Sequence, residues 1–235
     1  MKKLALLFAA AAVISARALA GDRPVLKQPS LTQAISSEHL DPQQPVPNDR
    51  FLVAYDKSLH EVFKEAFASD VRVRMLAEPS FEPEYAVGIR DIGGIYHILY
   101  LHVPSNLWYS GEDRAKAVAE RCDVEIDTSL ANRIIEVWRR MLQRVPPHAE
   151  VRMGLDGDGY DFFIRSGKSE LTEQTWSPDK GTSPAMLVNI GVTMTSYCET
   201  KSRWYFTPAA WYLAGSLDRQ ANALLARLPE KGKGK

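Results

Sequence analysis

Cys122 and Cys198 are the residues in this chain best placed to react with each other. An even cysteine count in an oxidising compartment reads as a bridge. Cys122 shares the apolar side of its segment with Val124 and Ile126, and Cys198 shares its own with Met194 and Tyr197. The bridge would close a loop of 76 residues. In the chain-entropy picture such a closure stabilises a fold by roughly 4 kcal/mol, less any strain. Two buried free thiols are the alternative, and a redox pair lacks its Cys-x-x-Cys spacing.

The run Asp156-Gly157-Asp158-Gly159-Tyr160-Asp161 alternates carboxylates around glycine, as calcium loops do. With Gly159 at the loop's central glycine, the first and last ligand positions fall on Gly154 and Arg165, neither of which can serve. A glycine-built turn explains the same residues. Gly181-Thr182-Ser183-Pro184-Ala185 lacks the closing glycine of a nucleophile elbow, and Ser183 suits a helix cap. Ser177-Pro178-Asp179-Lys180 matches Ser-x-x-Lys without its partner motifs. His39, His60, His97, His102 and His148 show no metal-ligand spacing, and His97 and His102 fall on opposite faces of one strand. No metal and no cofactor is expected, and no nucleophilic or acid–base set emerges.

Aromatic side chains are densest at Trp204, Tyr205, Phe206, Trp211 and Tyr212. Such rings anchor interfaces, or they fill the junction between two helices. The helical turn angle places Tyr212 about 200° from the core stripe led by Ala210, with Trp211 at its margin. Trp204, Tyr205, Trp211 and Tyr212 are therefore the candidate binding surface. Asp123, Glu125 and Asp127 form an acidic stripe that reads as a solvated strand face or as protection for a sheet edge.

These groups need a scaffold, and the chain predicts one. Met1-Lys2-Lys3, the apolar run Leu4–Ile14 and the small-x-small pair Ala18 and Ala20 are the parts of a secretory signal over 1–20, cut near Gly21. The apolar run is too short for a permanent membrane span, and no later stretch is long enough. The protein is therefore expected to be exported, in the periplasm or secreted, and not embedded in a membrane. Loss of Lys2, Lys3 and Arg17 leaves 26 basic residues against 29 acidic ones, a formal charge of −3. The basic tail 230–235 holds part of that positive charge, so the body is more acidic still and has no basic face for nucleic acid.

Residues 21–49 carry five of the 14 prolines and few large apolar side chains, which predicts a flexible leader or a strap laid over the domain. The globular domain is expected over 50–229. A helix is expected from Ser58, with Glu61 completing a capping box. Strands are expected at Val71–Ala77, Glu84–Arg90 and Ile95–Val103, with Gly93-Gly94 as a turn. A short helix over Glu112–Arg121 and a half-buried strand over Cys122–Asp127 follow. A helix over Ser129–Val145 ends at Pro146-Pro147. Glu150–Leu155 and Tyr160–Ser166 read as a hairpin, with a further strand over Leu171–Trp176. Helices from Ser183 and from Thr207 close the chain.

This order predicts a single α+β domain with a mostly antiparallel sheet packed on one side by helices, with a doubly wound parallel sheet as second choice. The functional expectation is a non-catalytic exported binding protein, an inhibitor or immunity-type partner of another exported protein. The alternative is an envelope enzyme acting on cell-wall or peptide material, in which acids such as Glu82, Glu84 and Asp161 would matter.

Overall fold

The computed structural model describes residues 38–144, 156–167, 169–203 and 208–228. Among these residues seven strands form one sheet: β1 (Asp41–Pro42), β2 (Val71–Pro79), β3 (Tyr85–Ile92), β4 (Ile95–His102), β5 (Glu120–Glu125), β6 (Asp158–Ser166) and β7 (Ser169–Trp176). Their spatial order is β1-β7-β6-β2-β3-β4-β5, and every pairing is antiparallel. Four α-helices accompany them among the described residues: α1 (Arg50–Val62), α2 (Thr128–Leu142), α3 (Ser183–Arg203) and α4 (Pro208–Arg227). The architecture is α+β.

Period-two alternation decides which side of the sheet each residue meets. Val73, Met75, Val87, Ile89, Ile98, Phe162 and Ile164 face α2, α3 and α4, where Trp138, Ile134, Leu187, Ile190 and Leu217 complete the main core. Leu76, Ala86, Leu99 and Leu101 point the other way and are covered by Tyr55, Leu59 and Phe63. Helices thus pack on both faces, not one.

Local chemistry sets the joints. Gly93 and Gly94, with φ of 62° and 91°, link β3 and β4 through a two-residue turn, and the Asp91 carboxylate accepts from the Gly94 N–H at 2.9 Å. On α3, Gly191 lies against Met75 of β2 so closely that a Cβ there would overlap the methionine's Sδ and Cε. That gap lets the helix settle onto the sheet.

Several expectations are corrected. The first helix starts at Arg50, not Ser58, because Asp49 caps it by accepting from the N–H groups of Phe51 and Leu52 at 2.8 and 3.1 Å. Ser58 lies inside this helix and donates to the Ala54 carbonyl. Residues Gly111–Lys116 form a 3-10 turn and not a longer helix; Ala117 is already extended, and Glu120 joins the sheet beside β4. Both edges of β6 are taken by β2 and β7, so its hairpin partner is β7 and not Glu150–Leu155. The segment 145–155 lies outside the described residues.

Residues 38–49 of the proline-rich leader form a strap. Leu40 is fully buried in the main core, Asp41 and Pro42 pair with β7 at the sheet edge, and Asp49 caps α1. The expected signal 1–20, the remainder of the leader and the tail 230–235 lie outside the described residues.

Candidate functional site

Cys122 on β5 and Cys198 on α3 are joined as a disulfide with Cα atoms 6.1 Å apart, tying the sheet edge to the longest helix. Beside it the acidic stripe comes apart. The Asp123 carboxylate sits among His97 at 2.7 Å, Arg90 at 3.2 Å and Arg121. Asp127 caps α2, accepting from the Ser129 and Leu130 N–H groups at 2.9 and 3.0 Å, and the Ser129 hydroxyl and these amides hold its carboxyl below the usual range. Neither is a free acid on a docking face.

The Asp156–Asp161 run opens β6. Alternation sends Asp158 and Asp161 to opposite faces, so they do not converge on one ion. Among the described residues no three His, Cys, Asp or Glu side chains come together as metal ligands. Ser177 Oγ accepts from the Asp158 N–H at 2.9 Å, and the Ser183 hydroxyl donates to Glu38 at 2.7 Å. Both serines therefore serve structure, with Thr182 and Glu38 sharing the cap of α3. Ser177, Lys180, Tyr160 and Val188 line an open concavity of about 540 Å³.

Of the expected aromatic surface, Trp204 and Tyr205 lie outside the described residues. Trp211 and Tyr212 are 76% and 68% exposed, while Ala210, Leu217, Ala221 and Leu224 turn inward. The Arg219 guanidinium lies 5.8 Å from the Tyr212 ring.

A second aromatic group lies at the end of the sheet where α1 begins. The Phe51 and Tyr55 rings meet Trp108 edge-on at 4.7 and 4.9 Å, and the Arg114 guanidinium lies over both at 4.8 and 5.2 Å. Tyr109 follows Trp108 and is 64% exposed; Phe81, 72% exposed, precedes Glu82 on the loop between β2 and β3. The loops bearing these rings are held together: Asn106 donates to the Glu82 carbonyl at 2.7 Å, and Arg114 donates to the carbonyls of Leu107 and Trp108.

The fixture beneath is Glu84, which is entirely buried. Its carboxylate accepts from the Leu107 N–H at 2.7 Å, the Trp108 N–H at 3.0 Å and the Tyr55 hydroxyl at 2.9 Å. Burial, followed by the nearby carboxylates, raises the Tyr55 hydroxyl well above the ordinary range and keeps it protonated. Behind Tyr55 lies Glu78 of β2, whose carboxyl is pushed up to about 8 by burial, then by Asp161 and Glu84. Asp161 of β6 is raised by burial too, and accepts from Gln43 of the strap at 3.3 Å. Of the acids named from sequence, Glu84 is committed to holding the loops, Glu82 is exposed, and Asp161 joins Glu78.

Glu78, Phe51 and Trp108 are absent from the sequence-derived candidates. They belong to separate elements, and no local spacing relates them. The one available signal is a lone acid, Glu78, continuing the side of β2 that carries Leu76. Among the described residues no helix is long and apolar enough to cross a membrane. No family model, no curated protein and no solved structure matches this chain.

Proposed function

We propose that this protein is an exported, non-catalytic binding protein, an inhibitor or immunity-type partner of another exported protein. The observation that carries the reading is the aromatic end built on Glu84. Phe51 of α1 and Trp108, 43% and 39% exposed, pack edge to face, and Trp108 sits on a loop whose backbone is fixed by a buried carboxylate. Interface anchors have this character: large rings, held in advance, with polar groups at the rim. The secretory-type N-terminal sequence and the joined cysteines support export to the periplasm or beyond. Trp211 and Tyr212 are the second candidate patch.

The test uses two double variants, Phe81→Ala with Tyr109→Ala, and Trp211→Ala with Tyr212→Ala. All four side chains are more than 60% exposed, so melting temperatures should stay within a few degrees of wild type. Loss of partner capture in the first pair alone supports the aromatic end. Loss in the second alone moves the site to α4, and loss in neither removes both surfaces. The alternative reading, an envelope enzyme, draws on the neighbouring acids Glu78 and Asp161, one of which stays protonated near neutral pH. Hydrolysis of cell-wall or peptide substrate by wild type, lost in Asp161→Asn, would favour it.

A further inference from the structure

Two opposite charges line one concavity, and no ion pair joins them. Asp158 at the start of β6 and Lys180 on the connection from β7 to α3 both border the open space of about 540 Å³ beside Tyr160. Among the described residues the Lys180 ammonium has neither an ion-pair partner nor a hydrogen-bond acceptor. The Asp158 carboxylate accepts only from the Tyr160 hydroxyl, at a long 3.4 Å. The Asn189 carboxamide of α3 borders the same space and has no partner among the described residues either. Carboxylate, ammonium and amide thus share one concavity with most of their hydrogen-bonding capacity unused.

The backbone that carries Asp158 is fixed. Ser177, with φ of 39°, is the one non-glycine residue among those described in the left-handed region. A reciprocal pair holds it there: the Ser177 N–H donates to the Asp158 carbonyl at 2.8 Å, and Ser177 Oγ accepts from the Asp158 N–H at 2.9 Å. Gly157 leaves room for this, since a Cβ there would lie 2.3 Å from Ser177 Oγ. Strained backbone survives only where its surroundings over-determine it, and such positions gather at ligand sites. Pro178, Ala185 and Val188 give the concavity its apolar wall. At Asn189 it adjoins a second concavity of about 360 Å³ between α3 and α4. There Gln220 donates to Thr193 at 3.0 Å, which leaves Asn189 as the free polar group at the junction.

We propose that this concavity binds a short peptide with free termini and small aliphatic side chains. The peptide ammonium meets Asp158, its carboxylate meets Lys180, and Asn189 offers a donor and an acceptor to a peptide group at the junction. A ligand of one charge would satisfy one of these residues and be repelled by the other, so the pair selects a zwitterion. The apolar wall takes side chains no larger than those of alanine or valine, and the volume is that of a small-molecule site. The concavity shares no residue with the aromatic end and depends on no assumption about a protein partner.

Titration of trialanine into the intact, isotope-labelled protein, followed by amide NMR shifts, tests this. The amides of Ser177, Lys180, Val188 and Asn189 should shift and saturate. Acetylating the peptide amine should weaken binding about tenfold, and so should Asp158→Asn. The two losses should not add, because both remove the same contact. Amidating the peptide carboxylate and Lys180→Gln should match each other in the same way. Both side chains are exposed, so the variants should keep the wild-type melting temperature. No saturable shift, or shifts centred on other residues, would overturn the site. Equal binding of the doubly blocked peptide, strictly additive losses, or alanine bound as tightly as trialanine would overturn the ligand.

Discussion

Tyr55 of α1 donates its hydroxyl to Glu84, a carboxylate with no solvent exposure, across 2.9 Å. The bond unites a helix, the start of β3 and, through the Leu107 and Trp108 N–H groups, the loop that follows β4. Hydrogen bonds to a buried charge are worth about 1.5–3 kcal/mol each, and removing the acceptor strands all three donors. Glu84→Ala should therefore destabilise the protein by about 3–5 kcal/mol in urea titration, far more than Glu82→Ala on the same loop. Equal small losses for the two would contradict the assigned role of Glu84.

The Cys122–Cys198 bridge anchors the edge strand to α3 across 76 residues. Non-reducing peptide mapping should recover the two cysteine peptides as one species. The double serine variant should lose up to about 4 kcal/mol. Two alkylatable thiols in protein purified without reductant would refute the pairing.

Gly191 and Met75 make a separate test of the packing of α3 on the sheet. Gly191→Ala forces a methyl group into the methionine and should cost about 1–3 kcal/mol, although alanine is the better helix former. Adding Met75→Ala opens the space, so the double variant should lose less than the sum of the single losses. Strict additivity would mean the two side chains do not meet.

The fold was largely legible because its signals are local. β2, β3 and β4 declare themselves by alternation and by Gly93-Gly94; α2 and α3 declare themselves by an apolar stripe. The misplaced helix start has a physical reason: Asp49 and Ser58 both look like caps, and only the tertiary position of the strap selects Asp49. The hairpin error arose because turn chemistry at Asp156–Gly159 names a turn without naming the strand's partner. The aromatic end was illegible for a deeper reason. It is assembled from residues 51, 81, 84 and 108, and no periodicity connects a ring on a helix with a carboxylate on a strand.

Stability should also carry the signature of opposed carboxyl shifts. Glu136, held by hydrogen bonds from Arg139 and offset by some burial, titrates below its usual range. Its contribution is present above the unfolded value and is lost as pH falls. Glu78 titrates above its usual range, so its contribution is complete below the unfolded value and is lost as pH rises toward about 8. Urea midpoints of wild type should therefore fall from mildly acidic pH toward pH 8–9, and Glu78→Gln should flatten that limb. A wild-type midpoint that rises steadily from pH 5 to pH 9 would contradict this assignment.

The most direct test of the binding reading is site-specific photo-cross-linking in the envelope of the producing cell. A photoreactive side chain is placed in turn at Phe81, Tyr109, Tyr212 and the exposed control Glu125. The account predicts one discrete adduct from Phe81 and Tyr109, containing another exported protein, and none from Glu125. No adduct from Phe81 or Tyr109, whether or not Tyr212 gives one, would contradict it.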